Sequence, residues 1–297
     1  MTDVIAPLVT PFDDGHLNTT KLLNHAKSIE KFVDIFWLCG STGLGPALSK
    51  EEKETIAKAM SEFSNKVIFQ VGSLNIDDSI HLAKLARRLK VQAIASYPPF
   101  YFPKIPEDWV VKYFTKLSKI YPLYIYNYPE ATKFDVVPSV VRKIVQGGGN
   151  IVGVKDTIND ITHMLSYKWE FGRDFVVYSG SGANILPAVR SGIDGVLSGA
   201  VNFIPEFVRN LVDNATREEG FKLQRDFNAI LSVARKFSQW ASNYSLVRIF
   251  RGYDVGKPRP PIYPLTDKEE AELEERMKTL GLIDSTVQQS RTSPQMT

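Results

Sequence analysis

Lys155 is the residue of this sequence with the clearest capacity for covalent chemistry. It ends the short β-branched run 151–154, and Asp156 and Thr157 follow it. A lysine that is desolvated at the end of an apolar strand has its pKa lowered from about 10.4 toward neutrality. A neutral amine can attack a ketone and form a Schiff base. Because a lone strand-ending lysine is more often an ordinary one, the functional interpretation depends on the residues around it.

Two other segments carry groups that could assist such an amine. Tyr128, between Asn127 and Pro129, has a phenol that can donate or accept a proton. Segment 40–45 follows an apolar run and reads Gly-Ser-Thr-Gly-Leu-Gly, which matches neither the dinucleotide fingerprint nor the P-loop. Its backbone N–H groups, with the hydroxyls of Ser41 and Thr42, suit a small anion such as a carboxylate. The alternative interpretations are a packed rim aromatic and a plain strand–helix turn.

Short apolar segments predict the strands that would position these groups. Segments of helical length alternate with them, which is typical of a parallel sheet. The predicted strands are 4–9, 35–39, 67–71, 92–96, 123–127, 151–155, 175–179 and 195–198. The predicted helices are 49–64, 76–90, 106–120 and 138–145. Ser49 followed by Glu52 indicates a capping box, and Pro106 and Pro138 suit first-turn positions.

This alternation predicts an α/β fold, a (β/α)8 TIM barrel, with a doubly wound open sheet as the alternative. We assign residues 1–215 to the barrel, 216–284 to a C-terminal helical extension with helices over 217–244 and 267–280, and 285–297 to a flexible tail. Active sites of such barrels lie at the C-terminal ends of the strands. Lys155, Tyr128 and segment 40–45 are therefore expected to converge.

Composition argues against several classes of function. The chain has 36 Lys+Arg and 33 Asp+Glu, and a net charge of +3 is too small for a nucleic-acid footprint. No apolar run approaches the ~20 residues of a membrane span, and we expect no secretory signal. The single cysteine, Cys39, suits a reducing cytoplasm, which is the expected location. The four histidines are scattered, so we expect no metal and no other cofactor.

Three motifs together carry a family resemblance. They are Gly40-Ser41-Thr42-Gly43, Tyr126-Asn127-Tyr128-Pro129 and Gly153-Val154-Lys155-Asp156-Thr157. In this order and at these strand positions they resemble the dihydrodipicolinate synthase/N-acetylneuraminate lyase superfamily of pyruvate-dependent class I aldolases, along essentially the whole chain. Segments 70–72, 178–181, 252–254 and 258–261 are most similar to the archaeal 2-keto-3-deoxygluconate aldolase branch.

The resemblance implies a role for each matched position. Lys155 would be the Schiff-base lysine, Tyr128 the proton shuttle and Thr42 its relay. Tyr101 would be lent across a subunit interface, within a homotetramer that is a dimer of dimers. The backbone N–H groups of Ser41 and Thr42 would hold the pyruvate carboxylate. The remaining implied contacts are Pro7 and Gly199 with the pyruvyl group, and Thr157, Gly180 and Ser181 with the hydroxylated part of a sugar acid.

Departures from the relatives bear on the substrate. Segment 129–132 holds no arginine, which argues against the reaction of lysine biosynthesis. Lys104 stands where a phosphate-contacting arginine is expected, and it offers only a point charge. Arg235 matches a second such arginine, whereas Gln239 replaces a serine and Gly182 an acidic residue.

The resemblance and these departures together predict the reaction. We expect reversible cleavage of unphosphorylated 2-keto-3-deoxygluconate, and of 2-keto-3-deoxygalactonate, to pyruvate and glyceraldehyde in an Entner–Doudoroff-type sugar degradation. The alternatives are a dual-substrate aldolase that also cleaves 2-keto-3-deoxy-6-phosphogluconate, and another pyruvate-dependent lyase such as a neuraminate-type enzyme. Two further alternatives are a catalytically silent pyruvate-binding barrel and a metal-dependent barrel enzyme.

Overall fold

Eight parallel strands close into a barrel. A computed structural model describes residues 2–102 and 104–281. The strands are β1 (Asp3–Pro7), β2 (Ile35–Leu38), β3 (Val67–Gln70), β4 (Ala93–Ser96), β5 (Leu123–Asn127), β6 (Ile151–Asp156), β7 (Val176–Ser179) and β8 (Gly195–Leu197). Each strand pairs with its sequence neighbours, and β8 closes onto β1. The TIM barrel is thereby confirmed, and the open sheet is excluded.

Helices surround the barrel and continue beyond it. They are α1 (Thr19–Ile29), α2 (Lys50–Ala59), α3 (Ile76–Leu89), α4 (Glu107–Ser118), α5 (Pro129–Thr132), α6 (Pro138–Gln146), α7 (Ile161–Phe171), α8 (Ile185–Arg190), α9 (Pro205–Asn214), α10 (Glu219–Ala234), α11 (Gln239–Arg251) and α12 (Asp267–Thr279). The capping box of Ser49 and Glu52 is confirmed at the start of α2. Pro138 lies in the first turn of α6, whereas Pro106 caps α4 from outside the helix. None of the described helices is long and apolar enough to cross a membrane.

The prediction of one helix over 217–244 is wrong, because the chain breaks between α10 and α11. An uninterrupted helix of that length would extend about 40 Å, too far to follow a compact barrel. The break lets both segments bury aromatic residues, and Phe227 of α10 and Phe250 of α11 are both buried. The predicted helix 49–64 is also shorter as an α-helix, because it continues as the 3-10 segment Met60–Lys66.

The division at residue 215 between barrel and extension stays a prediction. Helix α9 ends at Asn214. Helix α10, in the predicted extension, forms hydrogen bonds with residues of the predicted barrel. The Gln224 Oε1 accepts from the Leu186 N–H at 2.7 Å, and its Nε2 donates to the Gly182 carbonyl at 3.2 Å. Residues 282–284 of the predicted extension and the predicted tail 285–297 lie outside the described residues.

Two hydrophobic clusters follow from strand alternation. Residues that point outward pack against the helices in the larger cluster. Residues that point inward form a smaller one that is rich in large aromatic rings, among them Trp37, Tyr124, Tyr126 and Tyr178. The barrel interior is thus filled by packed, mostly aromatic side chains up to the C-terminal ends of the strands.

Candidate active site

One cavity of about 440 Å³ lies where the strands end. Most residues predicted to be catalytic or substrate-binding line it: Lys155, Tyr128, Thr42, Ser41, Pro7, Thr157, Gly180, Ser181, Gly199 and Arg235. The fold therefore brings together groups that are up to 228 positions apart in the chain, from Pro7 to Arg235.

Lys155 lies against aromatic rings, at a position that is only 5% exposed. It pairs in register with Tyr126 of β5 and Tyr178 of β7. Its Nζ is 3.7 Å from the ring centroid of Tyr126 and 5.1 Å from that of Trp37. Burial lowers the pKa of Lys155 to about 7, and no described carboxylate opposes that shift. A substantial fraction of the amine is therefore neutral at neutral pH, as nucleophilic attack requires.

We predict that the rate of Schiff-base formation with pyruvate depends on pH. The rate should rise with pH and reach a plateau above pH 7, because only the neutral form of Lys155 attacks. The neutral fraction falls about tenfold per pH unit below the pKa, so the rate at pH 5 should be roughly 100-fold below the plateau. The rate of Schiff-base formation can be measured by mass spectrometry of pyruvyl incorporation with excess cyanoborohydride. A midpoint near 10 would contradict the lowered pKa.

Segment 40–45 forms a tight turn in the cavity wall. Leu44 has a φ of 55°, and a Cβ on Gly45 would lie 1.8 Å from the Cys39 carbonyl oxygen, so this turn requires glycine. The Ser41 Oγ lies 3.0 Å from the Tyr126 hydroxyl. The Thr42 N–H donates to no carbonyl among the described residues. The turn thus presents a backbone donor suited to a carboxylate.

Two stacked tyrosines line the cavity together with Lys155. The rings of Tyr126 and Tyr128 are 5.9 Å apart and 7° from parallel. Burial raises the pKa of Tyr126 to about 12. Burial, followed by the charges of Tyr126 and Glu130, raises the pKa of Tyr128. Both phenols are therefore protonated at neutral pH. No role was predicted for Tyr126 from the sequence, although strand alternation places it on the same side as Tyr128.

Asn202 fixes two backbone segments of the cavity wall, a role that the sequence did not reveal. Its Nδ2 donates to the carbonyls of Pro7 at 3.0 Å and Gly199 at 2.9 Å. Behind it, His25 Nε2 lies 3.0 Å from Asn202 Oδ1, and His25 Nδ1 lies 2.8 Å from the Tyr253 hydroxyl. Burial lowers the pKa of His25 to about 4, so the ring is neutral and donates its Nε2–H to Asn202. Pro7 and Gly199 are thus held through their main chain.

Glycine at position 180 leaves space beside the amine. A Cβ there would lie 2.9 Å from Thr157 Cγ2 and 3.3 Å from Lys155 Cε. The Thr157 hydroxyl donates to the Asn127 carbonyl at 3.0 Å, and the Ser181 hydroxyl donates to Asn159 Oδ1 at 2.9 Å. Both hydroxyls keep lone pairs that can accept hydrogen bonds from a polyol.

Among the described residues, the remainder of the cavity is lined by one cation, Arg235, and one anion, Glu130. Neutral Gln239 and Asn243 line it as well. Sequence reasoning missed Glu130, although it follows Tyr128 by two residues in α5. It also missed Asn243, which α11 brings in from the C-terminal helices and which no local pattern marks.

Tyr101 and Lys104 do not line the cavity of their own chain. Tyr101 is 79% exposed with a φ of 74°, and the neighbouring Phe102 is 59% exposed. The contacts predicted for Tyr101 involve another subunit, so its catalytic role stays a prediction, as does the phosphate contact of Lys104.

Comparison with known proteins finds sequence relatives that are named as aldolases of 2-keto-3-deoxy sugar acids. A protein of Saccharolobus solfataricus named 2-dehydro-3-deoxy-phosphogluconate/2-dehydro-3-deoxy-6-phosphogalactonate aldolase is 42% identical over 280 residues, which cover 92% of this chain and 94% of the relative. The Thermoproteus tenax 2-dehydro-3-deoxy-D-gluconate/2-dehydro-3-deoxy-phosphogluconate aldolase is 38% identical, with 91% of this chain and 88% of that protein covered.

Solved structures agree with these sequence relatives. A Sulfolobus 2-keto-3-deoxygluconate aldolase in complex with D-KDPG superposes with a TM-score of 0.90 at 40% identity, over 96% of this chain and 99% of that one. The model of the dihydrodipicolinate synthetase family matches residues 1–280. The resemblance that the three motifs predicted is confirmed, and the chain belongs to the dihydrodipicolinate synthetase family.

Proposed function

We propose that this protein is a class I aldolase, a carbon–carbon lyase that reversibly cleaves 2-keto-3-deoxygluconate, and 2-keto-3-deoxygalactonate, to pyruvate and glyceraldehyde. The observation that carries the proposal is the buried Lys155, which has no ion-pair partner among the described residues, in one cavity with Tyr128 and the turn at Ser41 and Thr42. The names of the relatives, which are aldolases for 2-keto-3-deoxy sugar acids, support this substrate class.

The proposed chemistry uses groups that line the cavity. The Lys155 Nζ attacks the C2 ketone, and loss of water gives a protonated imine. The electrons of the C3–C4 bond move toward the iminium nitrogen to give an enamine and glyceraldehyde. The Tyr128 hydroxyl takes the proton of the C4 hydroxyl as its own proton passes toward Thr42. That proton returns from Thr42 through Tyr128 to C3 of the enamine, and addition of one water to the resulting iminium releases pyruvate and restores the amine.

A paired assay tests this proposal directly. Release of pyruvate from 2-keto-3-deoxygluconate and from its 6-phosphate should be measured with and without EDTA. EDTA-resistant cleavage of the first substrate supports the proposal. Cleavage of both substrates would support the dual-substrate alternative. Cleavage that EDTA abolishes would support a metal-dependent enzyme. Binding of pyruvate without turnover would support a catalytically silent barrel. Cleavage of N-acetylneuraminate alone would indicate a neuraminate-type lyase.

We predict that Glu130 discriminates against phosphorylated sugar acids. A carboxylate in the cavity repels a phosphate, and solvent screening limits the effect because the side chain is exposed. Glu130→Gln should raise kcat/KM for the 6-phosphate by about three- to tenfold and leave the unphosphorylated substrate within about twofold. Lys104→Ala should lower the phosphorylated rate alone.

Glu275→Gln provides the matched control, since Glu275 is an exposed carboxylate on α12 that does not line the cavity. Steady-state kinetics with both substrates at low and high salt give the measurement. An equal change for both substrates, or a change that salt leaves intact, would argue against a charge effect at Glu130.

The assembly and location that we propose are a homotetramer, as a dimer of dimers, in the cytoplasm. Exposed Tyr101 and Phe102, whose ring centroids lie 5.5 Å apart, support self-association, because adjacent large apolar side chains at a surface mark contact sites. Light scattering coupled to size exclusion gives the mass of the assembly. A fully active monomer would refute the shared site that includes Tyr101.

A further inference from the structure

A closed ring of polar side chains lies behind the cavity and joins the ends of β5 and β6. Asn127 and Asp156 are the last residues of these strands and pair in register. Because alternate residues of a strand face opposite sides, they point away from Lys155 and Tyr126 and toward the helices. Both residues are fully buried.

The ring consists of four side chains, because Asp135 and His163 join Asn127 and Asp156. The Asn127 Nδ2 donates to Asp135 Oδ1 at 2.8 Å and to Asp156 Oδ1 at 3.2 Å. The His163 Nδ1 donates to Asp156 Oδ2 at 2.6 Å. The His163 Nε2 lies 3.2 Å from Asp135 Oδ2, an ion pair without hydrogen-bond alignment that closes the ring. Asp135, followed by Asp156, raises the pKa of His163 to about 10, so the imidazole is protonated at neutral pH.

The ring holds the chain next to each group that is proposed to react. Tyr128 directly follows Asn127, and Lys155 directly precedes Asp156. The Asn127 carbonyl also accepts from the Thr157 N–H at 3.1 Å and from the Thr157 hydroxyl at 3.0 Å. Movement of Asn127 relative to Asp156 would therefore shift the phenol relative to the amine.

We propose that the ring of Asn127, Asp135, Asp156 and His163 positions Tyr128 against the substrate bound to Lys155, with His163 as the positioning residue. The inference rests on the proposed aldolase function. Attack by the amine needs Lys155, whereas C3–C4 cleavage also needs the phenol at the C4 hydroxyl. A loosened ring should therefore slow cleavage more than it slows Schiff-base formation, since a displacement of about 1 Å can cost on the order of 100-fold.

Substitutions of His163 test this separation of steps. His163→Phe keeps an aromatic ring against Tyr167, whose centroid lies 5.5 Å from that of His163, and removes both polar contacts. We expect kcat for cleavage to fall on the order of 30-fold, with KM and the pyruvate trapping rate within about threefold. His163→Asn keeps an N–H donor toward Asp156 and should restore part of kcat. His81→Phe, at an exposed histidine that pairs with Glu54, is the control.

The pH profile provides a readout that a loss of stability would not produce. The groups that face His163 are Asp135, Asp156 and Tyr167. The ion pairs of His163 stabilise the fold fully below its unfolded pKa near 6.5 and are lost as pH rises through about 10. Neutral His163 still donates its Nδ1–H to Asp156, so the ratio of wild-type to His163→Phe kcat, measured on folded protein, should narrow as pH rises through about 10, whereas the ratio of their pyruvate trapping rates should stay near one at every pH.

Asp135→Asn is the milder second variant, because it removes one charge with little change of shape. If His163→Phe does not fold, Asp135→Asn tests whether the ring positions Tyr128. We expect its kcat to fall about threefold to tenfold, with pyruvate trapping retained. Folded variants with wild-type kcat, or with kcat and trapping reduced equally, would overturn the positioning role. An inactive wild-type protein would overturn the proposed function instead.

Discussion

Lys155→Ala is expected to lower kcat/KM for sugar-acid cleavage by at least about 10⁴-fold, the largest effect of any substitution in the chain. Lys155 is the buried amine of the cavity, and its loss removes the only group proposed to bond covalently to the ketone. Borohydride with pyruvate should add a reduced pyruvyl group to the wild-type protein at Lys155 and none to the variant. Peptide mass spectrometry locates the adduct. A variant that cleaves at the wild-type rate would refute the Schiff-base mechanism.

Lys53→Met is the matched control, because Lys53 is also buried but donates to the Gly72 carbonyl and does not line the cavity. It should keep pyruvate trapping.

Lys155→Met should also unfold at higher urea than wild type. Burial depresses the pKa of Lys155 from 10.5 to about 7, so its cost to the folded state is full below pH 7 and vanishes above 10.5. The gain at pH 6 should be on the order of 2–5 kcal/mol and should shrink toward pH 10.

Tyr128→Phe is expected to lower kcat on the order of 10²- to 10³-fold with a small change in KM. The phenyl ring can still stack on Tyr126, so the loss is confined to the hydroxyl that moves protons. No described side chain hydrogen-bonds to this phenol, and the variant should remain within about 0.5 kcal/mol of wild-type stability. Single-turnover cleavage after rapid mixing measures the chemical step.

Tyr263→Phe serves as the control for Tyr128→Phe, because Tyr263 is 69% exposed and does not line the cavity. Pyruvate trapping should persist in Tyr128→Phe, with its rate reduced far less than kcat, since the amine remains. If cleavage and trapping were both unchanged, another group would have to carry the proton.

The barrel could be predicted from the sequence because its strands are short, apolar and separated by helical segments. Runs such as 67–71 and 123–127 lack competing helical periodicity, and Lys155 stands out because a cation interrupts the apolar pattern. Alternation of side chains along the predicted strand 123–127 turns Tyr126 toward the barrel interior, so a role for that residue could have been predicted from the sequence.

Other parts of the site depend on tertiary packing and left no local signal. Positions 235–238 contain neither glycine nor proline, so the break between α10 and α11 was not predicted. That break places Arg235 and Asn243 at the cavity together. His163 and Asp135 are 28 positions apart, and only the folded chain shows that they meet.

The hydrogen bonds of Asn202 have a consequence for how this enzyme can diverge. Pro7 and Gly199 are held through carbonyl oxygens, which every residue possesses, so point mutations at these positions leave the acceptors in place. The end of the cavity that is proposed to bind the hydroxylated tail of the substrate is different, because the side chains of Glu130, Arg235 and Gln239 define its polarity. Selection can therefore change the substrate through single substitutions at that end of the cavity, while the backbone acceptors of Pro7 and Gly199 stay available to Asn202.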